Sequence, residues 1–214
     1  MEKFLTLYRE AIKNRGLFFL ALSGGKTPRK FYAKLAELPE REIDWSKVHF
    51  FWSDERMVAH DNAESNFRMA YDSLISKIKI PVENIHAVRT DLPPRAAAVE
   101  YENEIKKILG SVNFDLILLG IGPDGHTASL FPATKALNKK LIFVANNFVP
   151  KLNAWRITFT FPLINASRCV MFVVDESDPQ KAEITAKIKK GPDPNLPASL
   201  VKTADIEWLD VSKL

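Results

Sequence analysis

The apolar residues of the chain fall into short runs that are rich in β-branched and aromatic side chains and lack polar alternation. Such runs are typical of strands covered on both faces, and longer stretches with helical spacing lie between several of them. The predicted strands are 17–22, 48–53, 84–88, 114–121, 141–146, 156–161, 169–174 and 204–210. The predicted helices are 1–16, 29–38, 67–78, 93–109 and 178–190.

This alternation of strands and helices predicts an α/β fold in which a largely parallel sheet carries helices on both faces. A chain of 214 residues is long enough for one sizeable domain of this kind. The proline-rich stretch 191–199 reads as a loop within that domain, since a strand pattern follows it. We therefore expect residues 1–214 to form a single domain.

Composition and charge narrow the classes of partner. Hydrophobic residues make up 46% of the chain and charged residues 26%, as in ordinary soluble globular proteins. The net charge is +4, and the lysines and arginines are scattered rather than gathered in a stripe or tail, which argues against a nucleic-acid binder. A mild basic excess suits a small anionic substrate. A monomer and a small homo-oligomer both stay open.

The sequence carries no pattern of a membrane segment or a signal peptide. No apolar run approaches the ~20 residues that a membrane-spanning helix needs, and the stretch 1–16 is amphipathic and charged. The single cysteine, Cys169, lies inside an apolar run and has no partner for an internal disulfide, which suits a reducing compartment. We expect a cytoplasmic protein.

Three predicted strands end in segments dense with glycine or charge, at the sheet edge where open α/β folds bind their ligands. The first segment is Ser23–Pro28, "SGGKTP". Gly24 and Gly25 allow a tight turn with exposed amides, Thr27 can cap the next helix, and Lys26 adds a charge. These groups predict a phosphate cradle, although a plain strand–helix turn would carry the same capping threonine.

The second segment, "SDER", directly follows the strand 48–53. Asp54 and Glu55 can accept hydrogen bonds, and Arg56 can form a fork onto a phosphate or a carboxylate. On its own, the segment is equally compatible with substrate binding and with a solvated charge cluster.

The third segment, Gly120–Pro132, holds three of the chain's 8 glycines. Gly122 and Gly125 flank Asp124, and His126 follows. Histidine accepts a proton near neutral pH, and a neighbouring carboxylate can orient it. The segment therefore predicts a general base acting on a phosphorylated small molecule.

The glycines of the third segment also match the dinucleotide fingerprint GxGxxG. That fingerprint needs a helix at its third glycine and an acidic residue about 20 positions later. Pro123 interrupts the loop, Pro132 cuts short any helix, and no acid follows, so we expect neither a nicotinamide nor another cofactor. The remaining histidines lack these surroundings and show no metal-ligand spacing, so no metal is expected; they are His49, His60 and His86.

Together, the three segments resemble the 6-phosphogluconolactonases, a family within a larger group that includes the glucosamine-6-phosphate deaminases. The likeness covers nearly the whole chain in order. It is carried by "LSGGKTP", "FFWSDERMV…ESN", "FDLILLGIGPDGHTASLFP", "RITFTFPLINASRCVMFVV", "QKAEI" and "LPASLV". The resemblance implies a Rossmann-like fold of the deaminase/isomerase type. It also implies hydrolysis of 6-phosphoglucono-δ-lactone to 6-phosphogluconate, the second step of the pentose phosphate pathway.

The deaminases are the alternative within this group. They carry "DEY" where this chain has "DER", and a glutamate five positions beyond the histidine, where this chain has Phe131. A phenyl ring cannot move the proton that sugar-ring opening needs, so the comparison favours the lactonase. A catalytically silent sugar-phosphate sensor is a third alternative. Such sensors usually add a DNA-binding segment, for which we expect little room before the first helix.

The resemblance implies roles for individual residues. His126 would activate water, Asp124 would orient its imidazole, and Arg56 would hold the phosphate or the oxyanion. Phosphate and sugar contacts are expected from Ser23, Gly24, Gly25, Lys26, Thr27, Asp54, Gly122, Gly125, Lys151, Arg156 and Lys181. The chain departs from the family at Lys26, where serine is usual, and at Ala133, where glycine often stands.

Overall fold

The computed structural model describes residues 1–214. Its α-helices are α1 (Glu2–Arg15), α2 (Lys26–Ala36), α3 (Asn66–Ser73), α4 (Pro94–Leu109), α5 (Phe161–Ala166) and α6 (Pro179–Lys189). Its strands are β1 (Phe18–Leu22), β2 (Val48–Trp52), β3 (Asp54–Arg56), β4 (Leu116–Leu119), β5 (Val144–Val149), β6 (Ala154–Phe159), β7 (Val170–Val174) and β8 (Ile206–Asp210). None of the helices combines the length and the apolar character needed to cross a membrane.

Five strands form the large sheet in the order β2-β1-β4-β7-β8, and every neighbouring pair is parallel. Side chains alternate between its faces: along β1, Phe19 and Ala21 lie in one hydrophobic core, and Phe18 and Leu20 lie in the other. The first core also holds apolar residues of α4, α5 and α6, and the second holds those of α1, α2 and α3. The predicted α/β fold, a largely parallel sheet between helices, is confirmed.

The strand order reverses at β1. The chain adds β2 on one side of β1 and then builds β4, β7 and β8 outward on the other side. In an open α/β sheet such a reversal opens a crevice outside the carboxyl ends of the flanking strands. The segments Ser23–Pro28 and Gly120–Pro132, which follow β1 and β4, leave the sheet on either side of this crevice.

The other three strands form a small antiparallel sheet in the order β3-β6-β5. Ser53 joins the two sheets, because its N–H donates to the Leu22 carbonyl and its carbonyl accepts from the Phe159 N–H, both at 2.8 Å. The chain thus passes straight from β2 into β3. The "SDER" segment, which follows the predicted strand 48–53, is itself largely a strand, and it is held in that conformation by pairing with β6, about a hundred residues further along the chain.

Two local predictions are wrong. Residues 84–88 form no strand, and only a single bridge joins Ile85 to Phe50. Thr27 does not cap α2, because Gly25 adopts a φ of 107° and becomes the cap residue, so that the helix already begins at Lys26. Thr27 instead lies in the first turn of the helix with its hydroxyl free to contact a side chain from another element.

Candidate active site

A cleft of about 370 Å³ opens at the carboxyl ends of β1 and β4, and a pocket of about 100 Å³ adjoins it. Gly24, Gly25, Gly120 and Ile121 line both spaces. Of the other predicted site residues, the cleft gathers Ser23, Asp54, Arg56, Gly122, His126, Lys151 and Arg156. The pocket gathers Lys26, Thr27 and Lys181. Segments far apart in sequence thus meet at the sheet edge.

The first segment is fixed by a buried tyrosine. The Tyr32 hydroxyl of α2 accepts from the Ser23 N–H and donates to the Ser23 carbonyl, both at 2.8 Å. The Ser23 side chain in turn accepts from the Gly120 N–H at 3.2 Å, which links the segments after β1 and β4. The Ser23 hydroxyl therefore holds the two loops together as well as facing the cleft.

Gly24 is required by a close approach. A Cβ added there would lie 1.8 Å from Oδ1 of Asn66, a side chain that is 1% exposed. Asn66 is itself fixed, because its Nδ2 donates to the Asp54 carbonyl at 2.8 Å. The Asp54 carboxylate also accepts from the Ser129 hydroxyl at 2.7 Å. This network locks the first segment, β3, α3 and the third segment to one another.

The small pocket collects hydrogen-bond donors. Lys181 of α6 donates from Nζ to the Thr27 hydroxyl, and the pocket wall also includes Thr185, whose buried Oγ1 has no partner in the protein. The first N–H groups of α2 lack partners inside the helix, and the helix dipole favours an anion at this end. An ammonium group, hydroxyls and free amides around a space of this size suit a phosphate group. Lys26 is exposed at its rim.

Glu55, next to Asp54, has a structural part. Its carboxylate accepts from the backbone N–H groups of Asn66 (2.8 Å) and Phe67 (2.7 Å) and thereby caps α3 together with the Ser65 side chain. Burial raises the pKa of Glu55, although these N–H donors favour the ionised form. Its neighbour Arg56, by contrast, faces the cleft.

Two arginines oppose each other across the small sheet. Arg56 of β3 and Arg156 of β6 are directly paired in the antiparallel register, and both line the cleft. Burial lowers the pKa of Arg156, and the charge of Arg56 lowers it further. Like charges at opposed positions destabilise a strand pair. The arrangement is therefore suited to an anionic group that bridges the two guanidinium groups.

The third segment turns tightly at its glycines. The Gly122 N–H donates to the His126 carbonyl, and the Gly125 N–H donates to the Gly122 carbonyl, both at 2.9 Å. A Cβ at Gly122 would lie 2.0 Å from His126 Cε1, so only glycine leaves room for the imidazole. Gly125 lines neither space and instead adopts a φ of 73° against Leu196, which supports the turn from behind.

The turn brings His126 onto Asp124. His126 Nδ1 lies 2.5 Å from Asp124 Oδ1, and its backbone N–H donates to the same oxygen at 3.3 Å. Burial works against the charge on Asp124, but the donors outweigh it and hold the pKa of this carboxyl well below its usual range. An ionised carboxylate only accepts hydrogen bonds, so Nδ1 carries a proton, and in the neutral imidazole the lone pair is on Nε2.

A lysine from the small sheet completes this site. Lys151, in the turn between β5 and β6, forms an ion pair with Asp124, and its Nζ lies 4.6 Å from the ring centroid of Phe131. The Phe131 ring stacks on His126 with centroids 3.9 Å apart. Lys151 is thus assembled with the His–Asp pair and lies outside the Thr27–Lys181 pocket; its part in phosphate binding stays a prediction.

The other histidines lie outside both spaces, but their surroundings are not as bare as the sequence indicates. His49 Nδ1 lies 3.0 Å from His86 Nε2, and His86 Nδ1 lies 2.9 Å from Glu104 Oε1. His60 contacts the Val88 carbonyl instead. The sequence could not reveal the Glu104 partner, because it is on α4 and distant from His86 in the chain.

Several residues of the site carry no functional signal in the sequence. In the sequence, Asn66 stands just before the predicted helix 67–78, and Tyr32 lies within the predicted helix 29–38. Ser129 lies within the third segment, but nothing local indicated that it would reach Asp54. Each of them acts by connecting segments distant in sequence, so no spacing pattern carries the signal. No group of three or more histidine, cysteine, aspartate or glutamate residues in the structure has the arrangement of a metal site.

Comparison with known proteins identifies the family. Residues 1–209 match the family model of the glucosamine-6-phosphate isomerases and 6-phosphogluconolactonases. The chain is 44% identical over 185 residues to a 6-phosphogluconolactonase of Synechocystis, a match that covers 83% of this chain and 74% of the relative. It is 43% identical over 182 residues to a 6-phosphogluconolactonase of Nostoc, covering 81% and 73% respectively.

Chloroplast relatives are longer than this chain. A probable chloroplastic 6-phosphogluconolactonase of rice is 44% identical over 178 residues, and the match spans 77% of this chain but only 54% of the rice protein. The chain thus covers about half the length of that relative.

The fold comparison agrees with the sequence comparison. The crystal structure of a 6-phosphogluconolactonase from Thermotoga maritima superposes with a TM-score of 0.85 at 36% identity, covering 97% of this chain and 91% of that one. The chain belongs to the glucosamine-6-phosphate isomerase/6-phosphogluconolactonase family.

Proposed function

We propose that this chain hydrolyses 6-phospho-D-glucono-1,5-lactone to 6-phospho-D-gluconate. The observation that carries the proposal is the His126–Asp124 pair, which shares a cleft with two opposed arginines and adjoins a pocket suited to phosphate. These groups match a substrate that has a dianionic phosphate at one end and an ester carbonyl at the other. The lactonases among the relatives support the same substrate.

The phosphate would bind in the smaller pocket. The backbone N–H groups at the start of α2, including those of Gly25 and Lys26, would donate to the phosphate oxygens. The Thr27 hydroxyl and the Lys181 ammonium group would donate to them as well. Lys26 at the rim would add a long-range attraction. Because the cleft is continuous with this pocket, the sugar ring would extend past Gly120 toward His126.

His126 would act as the general base. With Nδ1–H held by Asp124, Nε2 would take a proton from water while the water oxygen attacks the lactone carbonyl carbon. A positioned base of this kind generates the nucleophile without a metal ion, and the proposal includes none. Asp124 would stabilise the imidazolium that forms, as an acceptor for its Nδ1–H.

Arg56 and Arg156 would hold the oxyanion. The attack turns the carbonyl oxygen into a tetrahedral alkoxide, and two guanidinium groups at one rung of the sheet provide the compensating charge. Collapse of the intermediate breaks the bond between the carbonyl carbon and the ring oxygen. The imidazolium returns its proton to that ring oxygen, and the new carboxyl group then releases a proton to solvent.

Phe131 supports the lactone over an amino sugar as substrate. Its ring lies on His126 at the position where the resembling deaminases carry a glutamate, and it has no proton to transfer.

The family match over residues 1–209 also supports one functional domain. We further propose action in the cytoplasm, as a monomer or small homo-oligomer, with no nucleic-acid or membrane partner.

The test is a coupled assay. Glucose-6-phosphate dehydrogenase generates the lactone, the purified protein is added with EDTA, and the loss of lactone is followed against its spontaneous rate. We expect strong acceleration, and no ammonia from glucosamine 6-phosphate in a parallel reaction. Ammonia release would identify a deaminase. Saturable binding of 6-phosphogluconate without acceleration would identify a sensor.

A further inference from the structure

Asp124 is shared between two donors that come from different parts of the fold. Its Oδ1 faces His126, and its Oδ2 faces the ammonium group of Lys151. Lys151 also lies over Phe131, and Phe131 stacks on His126. The four side chains therefore form a closed ring of contacts, in which Lys151 is the only member that does not belong to the third segment.

We propose that Lys151 is a positioning residue that tunes how readily His126 takes a proton, by withdrawing part of the Asp124 charge from the imidazole. The kinetic part of this inference rests on the proposed lactonase function, whereas the protonation behaviour of His126 does not.

The turn that carries Lys151 is built to hold it in place. Residues Pro150–Leu152 form a single helical turn, and the Asn153 N–H donates to the Pro150 carbonyl at 3.0 Å. Asn153 adopts a φ of 45°, a left-handed conformation that asparagine tolerates better than most residues. On either side, Val149 and Ala154 are paired between β5 and β6. An ordered hairpin therefore holds the lysine in position.

The direction of the effect follows from the charges around His126. A carboxylate next to an imidazole favours the protonated ring, and a lysine on the same carboxylate opposes this. The other charged groups that face the cleft are Asp54 and Arg56 from β3 and Arg156 from β6. None of these three forms an ion pair with Asp124. Removing Lys151 therefore removes the one lysine or arginine that contacts the Asp124 carboxylate together with His126.

The size of the effect is moderate, because the site is partly open to solvent. The side chains of Lys151 and Asp124 are 49% and 29% exposed. Water screens such a pair, so we expect a shift of about half a pH unit rather than the larger shifts of buried sites. A change of this size is nevertheless enough to alter the fraction of neutral base near neutral pH.

The test compares Lys151→Met, which keeps the apolar stem against Phe131, with Lys151→Arg, which keeps the charge. The matched control is Lys187→Met, which removes an exposed lysine paired with Glu183 on α6. The imidazole of His126 is titrated by NMR in each protein, and its signal is assigned by its disappearance in His126→Gln. The pH profile of kcat/KM for lactone hydrolysis is measured in parallel.

We expect the His126 midpoint and the acid limb of kcat/KM to move together to higher pH by about half a unit in Lys151→Met. Lys151→Arg and Lys187→Met should stay at the wild-type position. If the His126 midpoint is unshifted in Lys151→Met and the wild-type protein hydrolyses the lactone, the inference is overturned and the proposed function stands. A shifted midpoint in a chain whose wild type does not accelerate lactone hydrolysis supports the inference and overturns the function.

Discussion

The two sheets contribute different chemistry to the same cleft. The strands β1, β4 and β7 of the large sheet are buried along their whole length. They contribute the amides, hydroxyls and histidine of the loops that follow them. The small sheet is half exposed near its hairpin, and it contributes the cations Arg56, Arg156 and Lys151. An antiparallel sheet can keep one face in water, which allows long charged side chains to project from it.

This division teaches that the loops after the large sheet fix the geometry of the site, whereas the small sheet adds the cations that lie in the cleft with His126. The large sheet fixes where the substrate binds, because its loops are tied to one another by hydrogen bonds such as the one from the Gly120 N–H to the Ser23 hydroxyl. The small sheet adjusts the electrostatic potential in the same space. Changes in the first region should therefore alter geometry, and changes in the second should alter charge with little change in folding.

The largest expected effect lies in the large-sheet region. His126→Ala removes the proposed base, and loss of a positioned general base lowers the rate about 10²–10⁴-fold. We expect kcat/KM for the lactone to fall by that factor with an unchanged melting temperature. His60→Gln, which alters a histidine outside the cleft, serves as the control and should keep wild-type activity. Near-wild-type kcat/KM in His126→Ala would exclude this residue as the base.

The next effect belongs to the small sheet. Arg56→Gln and Arg156→Gln should each lower kcat about 10²-fold, as expected for loss of one oxyanion donor. Because both residues would hold one anion, the double variant should lose less than the product of the two single losses. Thermal unfolding should show no loss of stability in either single variant, since each relieves a like-charge pair.

Arg89→Gln is the control for the arginine variants, because Arg89 is exposed and paired with Asp91 away from the cleft. It should leave kcat unchanged. A marked fall in melting temperature in Arg56→Gln or Arg156→Gln, without loss of kcat, would assign the pair to folding rather than to the anion.

A third prediction compares two glycines, one required by a close approach to a side chain and the other by its left-handed backbone conformation. Gly122→Ala adds a Cβ 2.0 Å from His126, so the imidazole must move, and a displacement of about 1 Å can cost roughly 10²-fold in rate. Gly16→Ala, at a φ of 79° in open space after α1, should instead cost about 1–2 kcal/mol of stability and leave kcat/KM unchanged. Equal activities in the two variants would contradict the close approach at Gly122.

The large sheet could be predicted from sequence because its information is local. Continuous apolar runs between helical patterns give buried parallel strands, and the glycine-rich segment after β4 indicates a site at a strand end. The small sheet could not be predicted in the same way. Asp54–Arg56 is too short and too polar to look like a strand, and its conformation depends on pairing with β6.

The candidate site, like the fold, could be predicted only where the information is local in the sequence. Residues within a motif, such as Asp124 and His126, can be predicted from the local sequence, because they lie together in a glycine-rich segment at the end of a strand. Contacts that cross the fold were not. Lys151 lies 27 residues from Asp124, and Ser129 lies 75 residues from Asp54, so neither pairing leaves a periodic signal. The sequence could thus supply the list of reactive groups, whereas the structure supplies the electrostatic links among them.

The smallest expected effect is a difference between the two regions in how readily a cysteine thiol is labelled. Cys169, just before β7, is fully buried, and burial raises its pKa to about 12, so the thiolate needed for reaction is absent near pH 8. Leu152→Cys would add a second thiol at an exposed position of the small-sheet hairpin. A thiol reagent should label one group per native chain of this variant and two in denaturant. Labelling of native wild-type protein would mean that the large sheet opens more readily than the complete burial of Cys169 and β7 implies.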